Sequence, residues 1–142
     1  MRKLTLILAI LTIGVLKMNA QKIKESEVPA AVKTSFDKNF SGQTAKWEKE
    51  DGNFEAGFKK DGKNMSATFK PDGTFLETEI AIKESEFPTG VMDYIKTNYK
   101  GKKIKESAKI TSAANTVTYE AEIEGKDVIF DSNGKFIKEV KD

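Results

Sequence analysis

The segment Lys24-Glu25-Ser26-Glu27-Val28-Pro29 returns almost letter for letter as Lys83-Glu84-Ser85-Glu86-Phe87-Pro88. Behind each copy, apolar residues follow at a four-residue step, Val28, Val32, Phe36 and Phe40 in the first and Phe87, Val91, Ile95 and Tyr99 in the second. The shift between equivalent residues is a constant 59 positions, so two equivalent helices are expected to begin at equivalent places. Proline suits the first turn of a helix and pushes the residue before it toward extended geometry, which sets the expected starts at Pro29 and Pro88. Ser41-Gly42 and Gly101 supply the stops. Acids near a helix start complement its dipole, so capping accounts for the repeated Lys-Glu-Ser-Glu boxes.

After the first helix the apolar period changes from about four to two. Thr44 to Glu50, Asn53 to Lys59, Asn64 to Lys70 and Thr74 to Ile82 read as strands separated by Asp51-Gly52, Asp61-Gly62 and Asp72-Gly73, the dipeptides of tight hairpins. The second copy repeats this from Lys103 to Thr111, Thr116 to Glu124, Lys126 to Asp131 and Lys135 to Val140, with changes of length confined to turns. The expected fold class is therefore α+β: two tandem repeats, each one helix followed by a four-stranded antiparallel meander, with the helices packed on one face of the sheet. The domain boundaries that follow are 1–20 for a signal peptide, 21–82 for the first repeat and 83–142 for the second, the repeats packed as one unit.

The signal peptide is expected because Met1-Arg2-Lys3 puts positive charge before an apolar, uncharged run from Leu4 to Leu16, too short to span a membrane. Asn19-Ala20 then offers a small residue before a cut ahead of Gln21. Cleavage takes away Arg2, Lys3 and Lys17 and no acid, so 24 basic side chains less three leaves 21 against 22 acidic ones. A near-neutral chain with lysine and glutamate interspersed argues against nucleic acid as a partner. No membrane span is expected after cleavage, and the protein is expected to be a monomer in the periplasm or the medium. Cysteine is absent, so stability must come from packing without disulfides.

Histidine is absent too, so no Ser-His-Asp set, Cys-His pair or imidazole or thiolate zinc site can be written. No enzyme, no cofactor and no metal are expected. Asp131-Ser132-Asn133-Gly134 supplies oxygens but does not complete a calcium loop, and the same residues are what a tight turn requires. Trp47, the sole tryptophan, shares its phase with Ala45 and so falls on the helix side of its strand, although a lone tryptophan is also a candidate interface anchor. The face turned from the helices is the candidate binding surface. Lys46, Glu48, Glu55, Lys59, Thr68, Lys70, Thr118, Glu120 and Glu122 are expected on it as a mixed-charge field, with Phe75 and Ile129 as apolar points.

Ser-Glu-hydrophobe-Pro opening a helix, then Trp47-Glu48, Phe54-Glu55-Ala56, Gly62-Lys63 and Asp72-Gly73, with the whole unit doubled, resembles the PepSY-like family of small exported bacterial proteins. The resemblance covers Lys22 to Asp142. It implies a fold similar to that of beta-lactamase inhibitor protein, and binding or inhibition of another exported protein. The alternative is a small-ligand or metal-ion binder, or a structural envelope protein without a protein target.

Overall fold

In a computed structural model the chain is described over residues 20–141. The expected leader and its cleavage site at Ala20 lie almost wholly outside that span. Among the described residues nine strands are present: β1 (Gln21–Ile23), β2 (Lys46–Glu50), β3 (Asn53–Lys60), β4 (Lys63–Phe69), β5 (Phe75–Ala81), β6 (Glu106–Ser112), β7 (Val117–Glu122), β8 (Lys126–Asp131) and β9 (Phe136–Lys141). Helix α1 (Ala30–Asn39) lies between β1 and β2, and α2 (Val91–Asn98) between β5 and β6.

The expected pair of units, each a helix with its own four-stranded meander, is overturned. All nine strands form a single antiparallel sheet in the order β1 to β9. Two features account for the difference. The polar triplet Gln21–Ile23 carries no alternation, yet it pairs with β2 through Ile23 opposite Trp47 and adds a strand ahead of α1. At the centre, Glu77 to Ala81 of β5 pair with Ser112 to Ala108 of β6. Two separate meanders would leave both those edges with unpaired amides and carbonyls, and the shared ladder satisfies them.

Each Lys-Glu-Ser-Glu box forms a separate 3-10 turn ahead of its helix. The Lys24 amide donates to the Glu27 carboxylate at 2.8 Å, and the Lys83 amide to Glu86 at 2.8 Å, so the boxes cap their own turns and not the α-helices. α1 begins directly after Pro29, but α2 begins three residues after Pro88 because Gly90 takes a left-handed conformation, φ 97°, before the first helical turn.

Cross-strand partners share a face, and following them through the registers places both helices on the same side of the sheet. Under α1, Phe36 sits among Trp47, Phe58 and Phe69, with ring centroids at 5.4, 5.4 and 6.3 Å. Val32, Phe54, Ala56 and Ala67 complete that cluster. Under α2, Val91 and Ile95 pack with Ala121, Ile123, Val128 and Phe130, and Tyr94 stacks on Phe136 at 4.8 Å. Each cluster has its own helix, while the β5 to β6 ladder and an ion pair between Lys63 and Glu86 at 2.9 Å tie the halves together.

Both sheet halves carry the same irregularity. Thr68 pairs with Glu77 but Phe69 pairs with Phe75, which leaves Leu76 as an extra residue; Ile129 pairs with Lys138 but Phe130 with Phe136, which leaves Ile137 extra. A one-residue bulge reverses the side on which the following residue stands. Phe75 and Phe136 are thereby turned to the helices, and Ile137 is left as an exposed large hydrophobe.

Candidate functional site: the outer face of the sheet

The face opposite the helices is built by alternation. Where Phe54, Ala56 and Phe58 point to α1, Asn53, Glu55, Gly57 and Lys59 point away, and the pairing carries that parity across the sheet. One row runs Glu48, Glu55, Thr68, Glu77 and Ser112 across five strands. The next runs Lys46, Gly57, Ser66, Glu79, Ile110, Thr118 and Asp131. A third joins Ala81, Ala108, Glu120, Ile129 and Lys138, and a fourth Glu106, Glu122, Asp127 and Val140.

Of the residues expected on this face, Lys46, Glu48, Glu55, Lys59, Thr68, Thr118, Glu120, Glu122 and Ile129 stand on it. Phe75 does not, and the expectation is corrected: the Leu76 bulge turns its ring inward, 5.7 Å from Phe69 and 6.1 Å from Phe40. Lys70 lies past the end of β4, in the turn, exposed at the edge of the row. Trp47 is buried in the α1 cluster at 5 % exposure, edge-on to Phe36. It fills the core and presents no surface to a partner.

Glu77 and Glu79 were missed as face residues. The signal was available in the alternation Glu77-Thr78-Glu79-Ile80, whose apolar phase already pointed to the helix side. Their position changes the character of the surface. Lysines stand on outlying strands or at a strand end, Lys22 on β1, Lys46 on β2, Lys59 at the end of β3 and Lys138 on β9, while Glu55, Glu77 and Glu79 stand nearer the middle of the face. Burial first, then repulsion from Glu79 and Glu55, pushes the Glu77 carboxyl up to about 7. Glu122, buried at 3 % exposure, is held by the Lys105 ammonium at 2.7 Å. Among the described residues no group of three or more acids is placed to hold a metal ion. At the turn once considered for calcium, the Asp131 carboxylate accepts the amides of Asn133 and Lys135 at 2.8 and 3.0 Å, as a turn-closing side chain does.

On the helix side, two adjoining clefts of about 430 and 610 Å³ flank Tyr99 at the end of α2. The first has Met92, Ile95 and Ile104 beside Lys96, Lys100 and Lys103. In the second, Glu139 accepts from the Tyr99 hydroxyl and pairs with Lys126 at 2.8 Å. Those partners hold the Glu139 carboxyl below its usual range, and burial followed by the nearby Glu139 pushes the Tyr99 hydroxyl up. No described helix is long and apolar enough to cross a membrane.

The fold and the site define a class: a mostly β protein whose single antiparallel sheet has two helices on one side and charged side chains along the other. The chain belongs to the PepSY-like family, whose model, provisionally described as beta-lactamase-inhibitor-like, matches residues 15–66 and again 54–138. That description is of an inhibitor-like family and not of an enzyme family. Solved structures share the fold. One from Bacteroides eggerthii, provisionally described as periplasmic, superposes with a TM-score of 0.71 at 12% identity, over 80% of this chain and 88% of that one. A DUF2874 family protein from Bacteroides uniformis gives 0.70 at 15% identity over 80% and 88%. A BLIP-like protein from Bacteroides fragilis gives 0.65 at 20% identity over 80% and 86%. No curated protein matches the chain significantly.

Proposed function

We propose that this chain is an exported, non-enzymatic protein-binding module that inhibits or modulates another periplasmic or secreted protein through the outer face of its sheet. The observation that carries the reading is the continuity of that face: rows of charged and polar side chains, with Ala81, Ala108, Ile110, Ile129 and Val140 among them, cross the sheet from β2 to β9 on the side away from both helices. A sheet stiffened by two packed clusters presents such an area without the ordering cost a flexible surface would pay. The charged start of the leader, the family's inhibitor-like description and the periplasmic description of the Bacteroides eggerthii structure support export and binding.

The test blocks the face by bulk and leaves its charge intact. Tagged chain from Gln21 onward is incubated with periplasmic extract beside a Ser66→Phe/Thr118→Phe variant, and beside a Thr34→Phe/Thr97→Phe control on the helices. A protein captured by the wild type and the control but lost with the face variant supports the reading; equal capture by all three sinks it. The rival, a small-ligand binder, draws on the clefts beside Tyr99. It predicts calorimetric binding of small apolar anions that Ile104→Ala weakens and the face variant leaves unchanged.

A further inference from the structure

We propose that the cleft between the end of α2 and the chain leading into β6 is a binding site for a flat aromatic anion, a one- or two-ring carboxylate whose ring takes the place that Trp47 fills in the first half of the protein. The cleft lies on the helix side of the sheet. This site is therefore separate from the outer face, and each can fail without the other.

The two halves differ in what fills the space beside the helix. Trp47 faces Ile23 on one side and Ala56 on the other, and its indole lies 5.4 Å from the Phe36 ring. In the second half Ala121 stands for Ala56, and the residue facing it is Ser107, whose carbonyl accepts the amide of Ile82, the counterpart of Ile23. Phe36 itself is matched by Ile95 at the constant shift of 59 positions. A hydroxymethyl group thus replaces an indole, and a branched aliphatic chain replaces a phenyl ring. Interiors are normally close-packed, but here the volume is left open. A cleft of about 430 Å³ is walled by Ile95 and Tyr99, the counterparts of Phe36 and Phe40, together with Met92 and Ile104. Small-molecule sites run from about 300 to 1,000 Å³.

A second difference falls at the same place and concerns charge. Lys96, Lys100, Lys102 and Lys103 stand exposed around the cleft, and Glu84 is the one acid among its lining residues. The corresponding residues of the first half are Asp37, Ser41, Gln43 and Thr44, none of them basic. Lys102 is held by Glu124 at 2.7 Å, whereas Lys96, Lys100 and Lys103 have no ion pair among the described residues. A cation in the last turn complements a helix dipole, but α1 meets that need with Lys38 alone. Lys100 and Lys103 lie beyond the end of α2, so helix stability does not call for them.

An apolar floor under a cationic rim decides what fits. Ile95 is buried and Met92 and Ile104 are half-buried, so a ring seated against them exchanges water for carbon. Its carboxylate stays at the mouth, where lysines on flexible stems can meet it without being buried themselves. A cation of the same shape would face like charge, and a neutral ring would use the floor alone. An aromatic anion uses both halves of the site, and the shape of the vacancy, an indole's, favours a flat ring over a bulky chain.

The test titrates the chain from Gln21 onward with 2-naphthoate, 2-naphthylmethanol and 2-naphthylmethylamine by calorimetry at about 0.02 M salt. Naphthoate is expected to bind with a Kd of about 0.1 mM, the alcohol about tenfold more weakly and the amine not detectably. Lys96→Gln/Lys100→Gln/Lys103→Gln, all at exposed positions, should weaken naphthoate by about tenfold and leave the alcohol within about twofold. Ser107→Trp supplies the missing indole and should abolish binding of both, with a urea midpoint no lower than that of the wild type. No naphthoate binding, amine binding as tight as naphthoate binding, or a folded Ser107→Trp chain that still binds would each overturn the proposal. Should Ser107→Trp fail to fold, the lysine variant decides: naphthoate affinity unchanged by it, or the two ligands weakened equally, overturns the site. Ser66→Phe/Thr118→Phe, which blocks the outer face, should leave naphthoate binding intact, so loss of a captured protein and loss of the ligand are separate outcomes.

Discussion

A Cβ added to Gly73 would lie 2.6 Å from the carbonyl oxygen of Ala31, and one added to Gly134 2.5 Å from that of Thr89. At these equivalent places the turn after a strand is pressed against the start of a helix, which fixes each helix along its half of the sheet. Both glycines are also left-handed, φ 87° and 82°. Gly73→Ala and Gly134→Ala combine an unfavourable backbone region, costing about 1–2 kcal/mol, with a clash against rigid backbone. Each should lower unfolding free energy in urea by about 3 kcal/mol, while Gly62→Ala, left-handed at φ 77° but facing open space, should cost about 1 kcal/mol. Equal losses at all three positions would show that the turn-to-helix contact is loose.

Phe36 and Ile95 occupy the middle of their helix stripes at 3 % exposure each. Truncation to alanine should cost about 3–5 kcal/mol at Phe36, which loses edge-on contacts to three aromatic neighbours, and about 2–5 kcal/mol at Ile95. Chemical denaturation of both variants checks this, and wild-type midpoints would mean that the clusters are not what holds the helices.

Glu77 makes stability depend on pH in an unusual direction. Its folded carboxyl sits at about 7 against an ordinary 4.5, so between those values the folded state holds the proton more tightly than the unfolded chain. The contribution is full below pH 4.5 and is lost as pH rises to about 7, amounting to at most about 3 kcal/mol. Glu139 and Glu86, held low by lysine partners, act in the opposite sense at acid pH, below the Glu77 window. Stability should therefore peak near pH 5 and fall toward pH 8, and Glu77→Gln should flatten the fall. A wild-type curve that is level from pH 5 to pH 8 would refute the burial that, with repulsion from Glu79 and Glu55, raises the Glu77 carboxyl.

Much of this was legible in the sequence, for physical reasons that also mark where legibility ends. Val32, Phe36, Val91 and Ile95 announce buried helix faces because their spacing matches a helical turn, and Phe54-Glu55-Ala56 announces a strand with two unlike sides. Pairing between strands far apart in the chain leaves no such trace, so the β5 to β6 ladder that fuses the halves was hidden. The side on which Phe75 stands was misread because simple alternation takes no account of the extra residue Leu76, and a bulge is a property of two strands together. The acidity of the face was diluted by counting Lys46, Lys59 and Lys70 with its centre, although they lie toward its rim.

The N-terminus supplies the last prediction. β1 begins at Gln21, which pairs with Lys49, and Ile23 pairs with Trp47 while packing against the α1 cluster. A leader cut between Ala20 and Gln21 leaves this edge strand whole. Fractionation of a producing bacterium should therefore find, outside the cytoplasm, a form whose terminal peptide by mass spectrometry starts at Gln21. Removing Gln21 to Ile23 as well should cost about 2 kcal/mol, the worth of one half-buried isoleucine with its short ladder, and should leave the edge of β2 open. An uncleaved chain held with cytosolic proteins would refute export. A truncated chain as stable as the full one would show that β1 only rests on the sheet.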